Sequence, residues 1–192
     1  MSAQPQREAF SYRDLNNFWT CPRQFWYKHE GWRAIRQSKA LLRGTFVHLA
    51  CTAIWLGLDG SKAIQAEVQE LCAGMITSRL TDYQDQIATI RGAAKEAGVL
   101  VARYMAVYGN AVTPVSVNQR IYRDMPSGIR VSGTPDLICD LDGQRLLIDL
   151  KTGRAPEPEY LDLTGQVDYY ALLAGGIDLV AYDLISDDLI TR

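Results

Sequence analysis

The dipeptide Asp142-Gly143 most constrains what this chain can fold into. Two runs rich in Val, Ile and Leu, residues 131–141 and 144–151, flank it, and Asp-Gly between such runs is the strongest short-range signal for a two-residue β-hairpin turn. Pairing outward from that turn sets Asp136 opposite Asp149, with their side chains about 5 Å apart on one face. Carboxylates that close repel each other, so the arrangement requires either a divalent cation between them or a proton on one of them. Mg²⁺ suits such a pair because it takes oxygen ligands, commonly one or two carboxylates, and keeps its other positions for water and phosphate. Lys151, two residues beyond Asp149, projects from the same face. There its ammonium can hold a water, or help deprotonate it, beside a phosphate. An isolated Asp-x-Lys is ordinarily a solvated surface feature. Here Leu146, Ile148 and Leu150 make one apolar face while Leu147 and Ile138 make the other, so both sides of the strand pair are buried and the charges need a reason.

Three further motifs surround this pair. Leu161 to Ala174 has helical periodicity and places Gln166 and Tyr170, four residues apart, on one face. His48 follows Arg43-Gly-Thr-Phe-Val in a segment, Leu41 to Leu56, that reads as a helix with a largely buried side. Gly44 permits close backbone approach there, and Arg43 has the charge to contact phosphate. Near the N terminus stands Cys21-Pro-Arg-Gln-Phe. Read from periodicity alone, Tyr170 is more simply an ordinary core aromatic and His48 more often a satisfied core histidine than a ligand.

In this order the motifs Arg43-Gly-Thr-Phe-Val-His48, Gly133-Thr-Pro-Asp136, Asp149-Leu-Lys151-Thr-Gly and Gln166-Val-Asp-Tyr-Tyr170 resemble those of the PD-(D/E)xK nuclease superfamily, in its RecB-like branch. The resemblance covers about residues 10–186. It implies an α/β (α+β) fold with a restriction-endonuclease-like αβββαβ core, a mixed central sheet and an additional N-terminal helical region. It further implies metal ligation by His48, Asp136, Asp149 and the Leu150 carbonyl, and catalytic roles for Asp136, Asp149, Lys151, Gln166 and Tyr170. The expected cofactor is Mg²⁺ or Mn²⁺ and the expected substrate is DNA. The CRISPR-associated adaptation nucleases and the AddB-type subunits of this branch carry an iron-sulfur cluster on one cysteine near the opening helix and three near the C terminus. Cys21 matches the first, but no cysteine follows Cys139, so no cluster is expected and Cys21 reads as a small buried hydrophobe.

The four cysteines are widely spaced without a Cys-x-x-Cys pair, which indicates neither a zinc site nor a disulfide framework. A chain of 192 residues with 47% hydrophobic content fits one domain: about 1–110 mainly helical, and about 111–192 the sheet and the Gln166 helix. No run is apolar enough to span a membrane, and the expected location is cytoplasmic. Net charge is only −2 but uneven. Residues 1–43 hold eight Lys or Arg against three acids, a balance of +5, which leaves −7 for the remainder. In that basic stretch Phe10, Tyr12, Phe18, Trp19, Phe25, Trp26, Tyr27 and Trp32 interleave with the cations, as on surfaces that follow a phosphate backbone and stack unpaired bases. Arg13, Arg23, Trp26 and Arg43 are the nucleic-acid contacts expected from it. A helix-packing role for these aromatics stands as the equal alternative.

The elements expected along the chain are a helix capped by Ser11 and running to about Lys28, the His48 helix from about Lys39, helices over about 62–79 and 81–108 with Thr81 as cap, and a strand from Pro114 to about Arg123. The two hairpin strands follow, then a loop over 152–159, the Gln166 helix ended by Gly175-Gly176, and a strand over 177–185. Where many relatives carry a glutamate on the first core strand, the segment Val117 to Ile121 offers only Asn118 or Gln119, so a second metal is left open. The activity expected is metal-dependent hydrolysis of DNA, most simply as an exonuclease on single-stranded or frayed ends. The alternatives are a structure-specific endonuclease, or a weakly catalytic DNA-binding scaffold beside a helicase or CRISPR adaptation proteins.

Overall fold

Ser11 opens the helical region: its hydroxyl accepts from the Asp14 backbone N–H, and the Asp14 carboxylate returns the bond to the Ser11 backbone, a reciprocal capping box that satisfies two helix-end donors. The structure is a computed structural model that describes residues 9–31, 37–77, 82–109, 111–153, 165–187 and 190–191. After a two-residue strand β1 (Phe10–Ser11), the single helix expected to reach Lys28 is two helices, α1 (Tyr12–Thr20) and α2 (Pro22–His29). The break falls at Cys21-Pro22. Proline has no N–H and would clash with the preceding turn, but its fixed φ suits a first helical position, where it stands in α2.

Helices α3 (Lys39–Trp55), α4 (Gly60–Thr77) and α5 (Tyr83–Tyr108) follow. Ser38 caps α3 through the Leu41 N–H, and Asp82 occupies the cap position of α5; the expected cap Thr81 lies outside the described residues. The sheet strands are β2 (Thr113–Val117), β3 (Ile121–Asp124), β4 (Arg130–Gly133), β5 (Leu137–Leu141) and β6 (Gln144–Thr152), then helix α6 (Gln166–Ala174), β7 (Leu179–Ile185) and β8 (Ile190–Thr191). The main sheet has the order β2-β5-β6-β7-β8, antiparallel except for the parallel β6-β7 pair. A second sheet has the order β1-β4-β3. The mixed sheets, and in the main sheet the order helix α5, strands β2, β5 and β6, helix α6, strand β7, agree with the restriction-endonuclease-like core.

The expected hairpin register holds. Asp142 and Gly143 both take positive φ, 50° and 82°, as a type I′ turn requires, and Leu137 pairs with Ile148, so Asp136 faces Asp149 one step further. The strand expected over 114–123 does not hold as one piece. Asn118 adopts φ 47° and donates its N–H to the Asp136 carbonyl at 3.0 Å, which turns the chain out of the main sheet. β2 therefore stays with β5 while β3 pairs with β4. Thr134-Pro135 divides β4 from β5 in the same way, since proline cannot donate to a ladder.

The main sheet is covered on both faces. Phe46, Val47, Ala50 and Cys51 of α3, with Ile90, Leu100 and Tyr104 of α5, pack on Leu137, Leu146, Ile148 and Leu150. On the other face Val167 of α6 meets Ile138 and Leu147. α6 begins at Gln166, after Gly165 in the left-handed region; the expected first turn over 161–164 lies outside the described residues. Among the described residues no helix is long and apolar enough to cross a membrane.

Candidate active site

Two glycines let helices come close enough to place the functional side chains. A Cβ on Gly44 would lie 2.7 Å from Thr152 Oγ1, so the bare glycine allows α3 to approach the end of β6 and carries His48 over the sheet. Likewise a Cβ on Gly133 would meet Leu173 Cδ1 at 2.7 Å and the Tyr170 ring at 2.8 Å, so only glycine lets α6 seat against β4. The close approach read from Gly44 in sequence is therefore present, and that at Gly133 is a second instance.

His48 Nδ1 lies 2.9 Å from Asp136 Oδ1, and Asp136 Oδ2 accepts the Leu150 backbone N–H at 2.8 Å. Burial alone would lower the pKa of His48, but the Asp136 hydrogen bond and the negative charges of Asp136 and Asp149 outweigh it and hold the imidazole above its ordinary value. Asp149 is 3% exposed. Its Oδ1 accepts from Gln166 Nε2 at 3.0 Å, and its Oδ2 stands 2.6 Å from the Lys151 ammonium. Burial raises the Asp149 pKa and Asp136 adds to the rise, with Lys151 pulling the other way. Gln166 joins the set, because its Oε1 accepts from Lys151 Nζ at 2.7 Å while Nε2 also donates to the Tyr170 hydroxyl at 3.1 Å. Burial keeps Tyr170 a neutral phenol, its pKa raised against the opposing Gln166 bond.

These residues line one open cleft of about 680 Å³ whose walls include Ser11, Arg13, Arg120, Gly133 and Thr134. The sequence-predicted residues His48, Asp136, Asp149, Leu150, Lys151, Gln166 and Tyr170 all border it. They do not form a finished three-ligand cage: among the described residues no three His, Cys, Asp or Glu side chains converge as a metal cluster. The cause is visible in the bonding, since Asp136 turns to His48 and Leu150 while Asp149 turns to Lys151 and Gln166. The donor set nonetheless fits a small hard cation. It offers two carboxylates and an imidazole, and the buried Asp149 Oδ2 already stands against a positive charge, the Lys151 ammonium at 2.6 Å. The Leu150 carbonyl shares a strand edge with its N–H, which faces Asp136.

The expected nucleic-acid contacts separate. Arg13 lines the cleft and also a neighbouring pocket with Leu41 and Gly44. Arg23 donates to the Tyr27 hydroxyl at 3.0 Å on the exposed α2 face, and Trp26 is 55% exposed beside it. Arg43 reaches Asp187 at 3.0 Å and Glu96 at 3.7 Å, so its charge ties α3 to α5 and the chain just past β7, and it is not among the residues that line the cleft. Cys21 is a correction, exposed where burial was expected, because Pro22 starts a new helix there instead of continuing a packed one. Phe10, Phe18, Phe25 and His29 pack ring on ring, while Trp19 stands 86% exposed. Helix packing thus holds for part of the set, Trp19 and Trp26 stand on the surface, and Trp32 lies outside the described residues. Gln119 faces a groove with Trp55 and Pro114, away from the acids. Arg120 is the residue that this segment sends into the cleft, and a search of Val117 to Ile121 for a carboxylate passes it over.

A family model described as the PD-(D/E)XK nuclease superfamily matches residues 9–180. No curated protein matches the sequence. Among solved structures, one named "Crystal structure of SSO0001" is similar at 19% identity, with a TM-score of 0.37, over 65% of this chain and 63% of that one.

Proposed function

The chain belongs to the PD-(D/E)XK nuclease superfamily, and on that footing we propose that it hydrolyses DNA phosphodiester bonds with Mg²⁺ or Mn²⁺, as an exonuclease on single-stranded or frayed ends. The observation that carries this is the joined set Asp149, Lys151, Gln166 and Tyr170 facing the His48 and Asp136 pair across one open cleft. His48, Asp136, Asp149 and the Leu150 carbonyl would hold the cation. When bound, it supplies Lewis-acid polarisation of the phosphoryl group and lowers the pKa of water.

Lys151 holds a positive charge where negative charge develops on the phosphate oxygens, and it can orient the attacking water. Gln166 fixes that ammonium by accepting from it, and fixes Asp149 by donating to it, so both charged groups are set before substrate arrives. Tyr170 keeps its proton and closes the far side of Gln166. The rim built by α1, with Arg13 in it and the exposed aromatics of α2 beyond, favours an unpaired strand.

The test compares wild type with Lys151→Ala on end-labelled linear single strands, linear duplex and closed circles, with Mg²⁺, Mn²⁺ or EDTA. Cation-dependent loss of linear DNA only, reduced by at least about 10²-fold in the variant, is the expected result. Loss of circles would make it an endonuclease, retained turnover in Lys151→Ala would overturn the site, and binding without cleavage would leave a DNA-binding scaffold.

A further inference from the structure

The β3-β4 hairpin carries a feature that the hydrolytic residues do not use. Arg120 Nη2 donates to the hydroxyl of the fully buried Ser132 at 3.0 Å, and its guanidinium lies 5.2 Å from the centre of the Tyr122 ring. Arg130, from the neighbouring strand, lies 5.1 Å from the same ring. One tyrosine, 49% exposed, thus carries two guanidinium groups, each within cation-π range. Among the described residues Arg120 has no carboxylate partner, and most of its five N–H donors remain to be used. Arg130 has Asp124 at 3.5 Å, a pair of exposed side chains, which screening makes weak. Arg120 borders the cleft that holds Asp149 and Lys151, so the ladder runs from that cleft outward along the hairpin.

Two like charges do not gather on one ring for stability's sake, since their repulsion works against the stacking. Planar guanidinium groups pinned in orientation, with free donors, match phosphate oxygens bidentately. We propose that Arg120, Tyr122 and Arg130 form a track that grips the sugar-phosphate backbone of the DNA strand next to the scissile phosphate, holding the strand as it enters or leaves the cleft. This rests on the nuclease reading for the identity of the strand. It adds a binding surface to the cleft in the same small sheet, β1-β4-β3, whose strand β1 leads into α1.

The experiment measures binding by fluorescence anisotropy of a labelled oligothymidylate to the full chain carrying Lys151→Ala, in EDTA, across a KCl titration. Arg120→Ala and Arg130→Ala are each expected to weaken binding about tenfold, the scale of one charged hydrogen-bonding contact. Each should also flatten the slope of log affinity against log salt by about 0.7, the value for one phosphate contact on a single strand. Arg130→Lys should keep the slope. Melting curves report folding, and because Arg130 is half exposed at the hairpin edge, its variant decides the matter if Arg120→Ala unfolds. Unchanged affinity and slope in Arg130→Ala would overturn the track. Weakened binding in these variants of a protein that never cleaves would retain the track and remove the nuclease reading. Cleavage by wild type with unaffected variants would do the reverse.

Discussion

Replacing Gly133 with alanine tests whether the seating of α6 controls the chemistry. The added Cβ would lie 2.7 Å from Leu173 Cδ1, 2.8 Å from Tyr170 Cδ1 and 2.9 Å from Tyr170 Cε1. Ordinary carbon contacts are about 3.5 to 4.0 Å, so something must yield by about 1 Å. The Leu173 tip can rotate away at small cost. The Tyr170 ring cannot, because it packs beside Val167 and Leu147 on the second face of the sheet while its hydroxyl accepts from Gln166. α6 must therefore lift. Overpacking of this kind costs about 1 to 3 kcal/mol, which for a chain of this size lowers Tm by about 2 to 12 °C. The same lift stretches the 2.7 Å Lys151 to Gln166 bond beyond the range in which a hydrogen bond holds, and a misplacement of about 1 Å can cost about 10²-fold in rate. The assay is calorimetric melting together with kcat on labelled linear DNA at saturating Mg²⁺, well below the variant's Tm. A folded Gly133→Ala protein with wild-type kcat and lowered Tm would show that α6 seating does not govern Lys151. An unchanged Tm would refute the close approach itself.

Other expectations follow from single contacts. Tyr104 donates to the fully buried Asp183 carboxylate at 2.5 Å, so Tyr104→Phe should cost about 1.5 to 3 kcal/mol and lower Tm by about 3 to 12 °C, read by thermal melting. Under native conditions the exposed Cys21 should take up a thiol reagent at once, whereas Cys51, buried and with its pKa pushed up to about 12, should react only after denaturant is added; mass mapping of the label distinguishes them. The imidazole of His48 is held above its ordinary pKa, so its contribution to the stability of the metal-free protein is complete below about pH 6.5 and disappears as pH rises through the folded value. Asp149, also raised, loses stability in the same direction, starting from the ordinary carboxylate range. Melting in a chelator should thus show Tm falling as pH rises above about 6.5, and Asp136→Asn should flatten that fall; a Tm that rises there would contradict the His48 to Asp136 pairing.

Much of the candidate site's arrangement is legible without coordinates because it is local. The Asp142-Gly143 turn sets the register, the register sets Asp136 against Asp149, the two-residue period puts Lys151 beside Asp149, and the helical period puts Gln166 beside Tyr170. Ser11 and Ser38 act as caps because a side-chain oxygen needs only the next few N–H groups. None of these relations depends on how distant segments pack.

Tertiary structure decided what the side chains meet. Arg43 has the charge to hold phosphate, but folding brings Asp187, distant in sequence, within 3.0 Å and takes that charge. Arg120 stands outside every motif, yet the bend at Asn118 carries it into the cleft and onto Tyr122. The same bend splits one apparent strand between two sheets, which no period of two reveals, since both halves alternate alike. Gly133 matters only because α6, folded back from beyond residue 165, lies against it. Turns, caps and periodicity follow from neighbours along the chain and are written in the sequence, whereas an ion pair or a close approach depends on which remote surface is buried against which, and that is settled by packing the whole core at once.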